Sequence, residues 1–373
     1  MKILHIAECA GGVERYLQLL IPLLKKLGFR QSLLCSNMFT LSKFYDNIDE
    51  VFTTDMQRTV SPLSISKTIR EIRQRIISLN PDIIYCHSSI AGFYGRMASL
   101  GLCRKIVYNP HGWSFNMLSK AAPMYLCIER IMANITDMIV CISKAERKSA
   151  LDRKVVDVNK LCLIENGIDI NQVREAQPIM REKLGIPKDA YVVGMVGRIA
   201  EQKSPDIFVK AAKIILQNIP NAFFIIVGDG LQREKIEKIS QEDCAIPLLI
   251  TGWVDNPYQY LKIFDVAMLL SRWEGFGYSI VEYMAAGVPL VATNVDAIPT
   301  IVSNGSDGIL VEKDDYQEAA RSVIKIHNDI TSAEKFKRNA LLKVSREYSV
   351  QRVAYQHAEM FEKLVNEVTY SYC

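Results

Sequence analysis

Twice along this chain, short apolar segments alternate with longer stretches whose apolar residues recur at helical spacing. In the first half the strand-like segments are 2–8, 31–35, 81–86, 106–108, 138–142 and 161–164. In the second half they are 191–196, 222–227, 247–251, 264–270, 288–293 and 309–311. Leu17, Leu20, Leu24 and Leu27 share one helix face after the first strand, and Gly28 closes that helix. Such alternation builds a parallel sheet with helices on both faces, so each half is expected to be a doubly wound α/β domain. Ligands of such domains approach the loops at the carboxyl ends of the strands. A polar stretch punctuated by Pro178, Gly185 and Pro187 separates the halves. The expected division is 1–175, 176–350 and a terminal helix within 351–373.

A length of 373 residues suits two domains that each bury a core. Hydrophobic content of 49% and charged content of 23% are those of an ordinary globular chain. No apolar run approaches the roughly 18–20 residues that span a bilayer. The N-terminus lacks the apolar region of a signal peptide, so a cytoplasmic location is expected. Nine cysteines without a C-x-x-C pair suit reduced thiols, and the five histidines never join them at zinc-ligand spacing. No metal site is expected.

Charge is uneven. Residues 1–175 carry 23 Lys and Arg against 16 Asp and Glu, so within a total of +4 the remainder is net negative. A basic half points to an anionic partner, such as a phospholipid surface or a phosphate-bearing acceptor; a well-solvated surface is the plain alternative. Nucleic acid is not expected, because the basic residues form no dense run with interleaved aromatics. The segment 63–79 is amphipathic and could lie on a membrane, but its periodicity is better satisfied by packing on the sheet.

The densest chemistry falls in 271–293, which reads as a strand end, a loop, a short helix and another strand. Glu274 is placed in the loop and Glu282 in the first turn of the helix. Gly275 and Gly277 allow a tight turn whose N–H groups can face an anion at the helix N-terminus. Two acids beside an anion site suit a ligand that is anionic at one end and rich in hydroxyls at the other, as a nucleotide-sugar is. Ser279 and Glu282 also match a capping box, which would give Glu282 a purely structural task. Glu274, between Trp273 and a Gly-Phe-Gly turn, has no such alternative. Arg198 and Lys203 share the loop after 191–196, where two cations could clamp a diphosphate; surface charge is the other reading. His111 sits in a turn-rich loop after the strand 106–108. The Gly11-Gly12 pair is either a tight turn or a binding loop.

These segments resemble the retaining glycosyltransferases of family 4. EGFGYSIVE at 274–282 is similar to that family's E-x7-E motif, continuing through AAGVP at 285–289. The likeness extends in order through GGVER at 11–15, His111-Gly112, NGID at 166–169, Gly197-Arg198 with Lys203, and GDG at 228–230. It implies a GT-B fold: two Rossmann-like doubly wound domains facing a cleft, acceptor on the first, nucleotide-sugar on the second, and a C-terminal helix crossing back to the first. It further implies that Arg198 and Lys203 contact the donor diphosphate and Glu282 the ribose. Glu274, with the backbone of Phe276, Gly277, Tyr278 and Ser279, would hold the transferred sugar. His111 would lie beside that sugar, Gly12 at phosphate or acceptor, and Trp253 and Val254 near the base. Ser204 departs from the glycine common after the lysine. No D-x-D motif is found, in keeping with metal-independent transfer.

The reading that results is a retaining, metal-independent hexosyltransferase using a UDP-sugar, without a separate cofactor. The acceptor implied is a glycan, lipid-linked as in capsule, exopolysaccharide or O-antigen assembly, with peripheral contact on the inner face of the plasma membrane. A sugar-phosphate acceptor, a nucleotide-sugar 2-epimerase and a non-catalytic nucleotide-sugar-binding subunit are the alternatives.

Overall fold

A computed structural model describes residues 1–8, 11–56, 61–116, 119–242 and 245–369. The chain divides into two compact units, Met1–Asn166 with Val350–Cys373, and Gly167–Ser349.

In the first unit the strands are β1 (Lys2–Ala7), β2 (Arg30–Cys35), β3 (Glu50–Thr53), β4 (Ile83–His87), β5 (Lys105–Asn109), β6 (Met138–Cys141) and β7 (Leu161–Leu163). They form one parallel sheet in the order β3-β2-β1-β4-β5-β6-β7. The pleat sorts side chains by parity. Ile3 and Ala7 face one core with Leu33, Tyr85 and Val107, whereas Leu4 and Ile6 face the other with Leu34, Ile84 and Tyr108. The first core is closed by the helix Gly12–Lys26 and by the last helix, Val350–Thr369, which contributes Val353, Ala354, Ala358 and Phe361. Fully burying one side chain of Phe361's size is worth about 2–3 kcal/mol. The helix Pro62–Leu79 buries Ile72 and Ile76 in the second core, so it packs on the sheet.

The second unit holds β8 (Tyr191–Val196), β9 (Ala222–Val227), β10 (Leu248–Ile250), β11 (Val266–Leu269), β12 (Leu290–Thr293) and β13 (Ile309–Val311). They too are all parallel, in the order β10-β9-β8-β11-β12-β13. In both sheets the strand order reverses beside the first strand, between β1 and β4 and between β8 and β11. Crevices at such reversals are where ligands of doubly wound sheets bind.

Three details differ from the sequence reading. The first boundary lies after Asn166, because Ile168 N–H donates to Tyr348 O at 2.9 Å and ties this segment into the second unit. The short strand β3 and the helix Ser89–Ser99 carry too little apolar periodicity to stand out. Of the nine cysteines, six are described and free; Cys9, Cys244 and Cys373 lie outside the described residues. So does Ala10, ahead of the glycine pair, and so do residues 370–373. Among the described residues no helix is long and apolar enough to cross a membrane.

Candidate active site

The carboxyl edge of the second sheet gathers most of the expected residues. The loop after β8 and the loop after β9 lie backbone to backbone. Ile199 N–H donates to Asp229 O at 2.9 Å, and a Cβ on Gly228 would stand 2.1 Å from Gly197 O. No side chain fits there, which accounts for the glycine at 228. The loop after β8 is then stapled to the loop after β11. Gln202 Nε2 donates to Trp273 O at 3.1 Å, and the Arg272 guanidinium grips Asp206 at 2.8 Å and Asp314 at 2.9 Å.

This stapling brings Lys203 and Glu274 together. Lys203 Nζ lies 2.5 Å from Glu274 Oε2, with side chains only 13% and 10% exposed. Ser271 Oγ donates to the same oxygen at 3.3 Å, and no described residue bonds Oε1. The Glu274 N–H donates to Asp296 Oδ2 at 2.8 Å, holding the loop. Arg198, four residues before Gln202, is exposed and reaches only Gln202 Oε1 at 3.5 Å. The two cations therefore stand apart: one is already paired, the other faces solvent.

Gly277 caps the helix Tyr278–Ala286 at φ 93°, and a Cβ there would press to 3.2 Å on Glu274 Cγ. Glycine serves both the left-handed turn and the closeness of the carboxylate. No side chain caps this helix, so its first N–H groups keep their partial positive charge for a ligand. The capping-box alternative for Glu282 is excluded. Ser279 lies inside the helix and its hydroxyl donates to Val196 O at 2.9 Å. Glu282 is in the second turn rather than the first, buried, and accepts from Tyr258 Oη at 3.2 Å. Phe276 is buried with its ring 5.4 Å from that of Tyr278. Trp253 stands 68% exposed and Val254 is half-buried, after Gly252 at φ 73°. Ser204 takes φ 48°, the left-handed region that glycine enters freely, and its buried hydroxyl has no partner. The departure from glycine is accommodated at a cost of about 1–2 kcal/mol.

The carboxyl edge of the first sheet is chemically unlike this. Gly12 opens the helix Gly12–Lys26 and is exposed, and a Cβ there would meet nothing within 4 Å. Packing does not demand that glycine. His111, at φ 51°, follows β5; its N–H donates to Asn109 Oδ1 at 3.0 Å. Glu146 braces the same loop, accepting from Gly112 N at 2.7 Å and Ile142 N at 2.6 Å. Burial pushes this carboxyl up to about 7. Ser143 caps the following helix, its Oγ accepting from Glu146 N–H at 3.1 Å.

Sequence reasoning singled out His111 and left unmarked the residues behind it. His87 Nδ1 lies 3.1 Å from His111 Nε2, and His87 Nε2 lies 3.1 Å from His5 Nδ1. His357, from the last helix, meets the hydroxyls of Tyr16 and Tyr85 at 2.8 and 3.0 Å. Burial lowers His5 and His357 to about 4 and His111 to about 3, and takes His87 well below its ordinary value. The signal was present: a histidine at a core position of an otherwise apolar strand, as in KILHIA, needs a buried partner. Among the described residues no three His, Cys, Asp or Glu side chains gather as metal ligands.

The second unit matches the family model for glycosyl transferases group 1 over residues 176–343, and the first matches that for Glycosyltransferase Family 4 over residues 10–172. A UDP-Gal:alpha-D-GlcNAc-diphosphoundecaprenol alpha-1,3-galactosyltransferase of Escherichia coli is 29% identical over 342 residues, 88% of each chain. An uncharacterized 41.2 kDa protein in the cps region of Klebsiella pneumoniae is 33% identical, across 67% of this chain and 69% of its own. Among solved structures, HepE of Anabaena in complex with UDP-glucose superposes with a TM-score of 0.78 at 23% identity, covering 97% of this chain and 100% of its own.

Proposed function

This chain belongs to the GT-B glycosyltransferases, with a Family 4 first half and a group 1 second half, and from that premise we propose that it moves a hexosyl unit from a UDP-sugar to a lipid-linked glycan hydroxyl, with retention and without a metal ion. The observation that carries the reading is the Lys203–Glu274 pair beside an uncapped helix N-terminus, at the point where the second sheet reverses. Arg198 and Lys203 take the diphosphate, helped by the N–H groups that open the helix Tyr278–Ala286. Glu274 accepts from hydroxyls of the transferred sugar through Oε1, and Glu282 from the ribose. Trp253 and Val254 flank the base, while Gly12 and His111 serve the acceptor and sugar side.

The chemistry follows from that charge. As the bond from the anomeric carbon to the phosphate oxygen breaks, negative charge collects on the diphosphate, where Arg198, Lys203 and the helix amides stabilise it. The acceptor hydroxyl adds on the face the diphosphate leaves, and its proton passes to a departing phosphate oxygen. Protein cations thus supply what a divalent ion supplies in other transferases.

A polyprenyl-diphosphate glycan is the acceptor class supported by the Escherichia coli relative's name and coverage. Peripheral membrane contact is supported by the helix Ala122–Ala133, where exposed Met124 and Ile131 adjoin exposed Lys120 and Arg130. The test is incubation with UDP-galactose or UDP-glucose and a lipid-linked GlcNAc-diphosphate, with product stereochemistry read by NMR. An alpha-linked product is expected. An inverted anomeric centre overturns the mechanism, and epimerised donor without acceptor overturns the transfer reading.

A further inference from the structure

Four of the five histidines lie in the first unit, and three of them form a single file across its sheet. Strand register explains why. Odd-numbered residues of β1 and β4 face the same core, and the pairing sets His5 beside Tyr85 and Ala7 beside His87. Gln31, from β2, ends the file: its Oε1 lies 3.1 Å from His5 Nε2.

The direction of every bond in this file follows from one amide. Gln31 Nε2 lies 2.9 Å from Ile21 O, a carbonyl that can only accept. The amide must therefore turn its nitrogen to Ile21 and its oxygen to His5. Facing an acceptor, His5 carries its proton on Nε2, and its Nδ1 is a lone pair. His87 then donates to it from Nε2 and offers Nδ1 in turn. His111 donates to that nitrogen from its own Nε2. Its Nδ1 is left as a lone pair, which no described residue occupies, on a half-buried ring held edge-on by Tyr16 at 4.7 Å. A second proton on His5 or His87 would set two N–H donors against each other.

We propose that Gln31, acting through His5 and His87, sets the tautomer of His111, so that His111 presents its Nδ1 as an acceptor for a substrate hydroxyl. Gln31, His5 and His87 are positioning residues; only His111 would touch the ligand. That final contact rests on the sugar-transfer reading, whereas the tautomer does not. The file also explains why His5 occupies a strand interior and His87 a buried strand end: an imidazole passes a hydrogen bond on with defined polarity, because the donor on one nitrogen fixes the acceptor on the other.

The test is a long-range proton–nitrogen correlation spectrum of the whole protein with nitrogen-15 histidine, at neutral pH, His111 being assigned by His111→Gln. The expected result is a neutral Nε2–H tautomer at His5, His87 and His111. His357 supplies an internal contrast, because its Nδ1 faces Val353 O at 2.8 Å and must carry the proton. Gln31→Leu removes the terminal acceptor and should give His111 a mixed tautomer, with kcat lower by about tenfold and the donor KM within about twofold. Gln31→Glu, protonated in this buried place, keeps both bonds and should restore the single tautomer. A proton on His111 Nδ1 in the native protein overturns the proposal, as does an unchanged His111 tautomer in Gln31→Leu. If Gln31→Leu does not fold, the native spectrum alone decides. Absence of sugar transfer alongside the expected tautomers removes the functional reading and leaves the chain standing.

Discussion

The two units have sheets that reverse at the same place in their strand order, yet the edges they present there are opposite in character. Beside β8 and β11 the side chains are ionic: Lys203 on Glu274, Arg272 across Asp206 and Asp314, and Arg198 in solvent. Beside β1 and β4 they are imidazoles and phenols whose burial keeps them neutral near pH 7. Ion pairs tie one edge together and directed hydrogen bonds the other. An ionic edge suits a ligand that arrives with a diphosphate. A neutral edge suits hydroxyls, which must be told apart by geometry.

The largest effect expected on the ionic side is from Glu274→Gln or Lys203→Met. Each should lower the rate of sugar transfer by about a hundredfold or more. Each also leaves a mostly buried partner uncompensated, at about 3 kcal/mol of stability, and the double variant should recover part of that loss. Turnover assays and thermal unfolding of all three proteins check this. Full activity in either single variant would break the assignment.

The neutral side should show itself in acid. His5, His87, His111 and His357 all have folded values below the ordinary 6.5, so the unfolded chain binds protons more readily. Their contribution to stability is complete above pH 6.5 and is lost as pH falls toward 4, at up to about 1.4 kcal/mol per pH unit for each histidine. Glu146, raised from 4.5 to about 7, acts in the opposite sense: its protonated form favours the fold, and that contribution fades as pH rises through 4.5 to 7. The histidines outnumber it, so melting temperature should fall between pH 6.5 and 4.5. A flat profile would contradict a neutral, buried chain.

Smaller effects refine the ionic edge. Glu282→Gln should weaken UDP about tenfold, since a ribose hydroxyl bond to a charged acceptor is worth about 1.5 kcal/mol or more. Tyr258→Phe, which removes only the hydroxyl that bonds Glu282, should weaken it less; calorimetric titration measures both. Ser204→Gly should raise stability by about 1 kcal/mol, because the left-handed turn no longer strains a side chain and no hydroxyl is buried alone. An unchanged melting temperature would remove the strain argument.

Much of this was open to reading in the chain. Strand–helix alternation gave both sheets, and Lys203 and Glu274 could be named from separate loops. Their contact could not be named, because it depends on Gln202 and Arg272 bridging residues some seventy positions apart. Glu282 was ambiguous for a local reason: S-x-x-E fits a capping box until the N-cap proves to be Gly277. The histidine chain was the most hidden. It needs β2, β1 and β4 in register, and its neighbour His357 arrives from a helix more than two hundred residues beyond β5. No local window contains that information.

The most direct test of the division of labour is titration of UDP, which has the diphosphate and ribose but lacks the transferred sugar, into three proteins: native, Arg198→Ala with Lys203→Ala, and His111→Ala. The expected result is a loss of about a hundredfold or more in the double variant and near-native affinity in His111→Ala. Native-like UDP affinity without Arg198 and Lys203 would contradict the account.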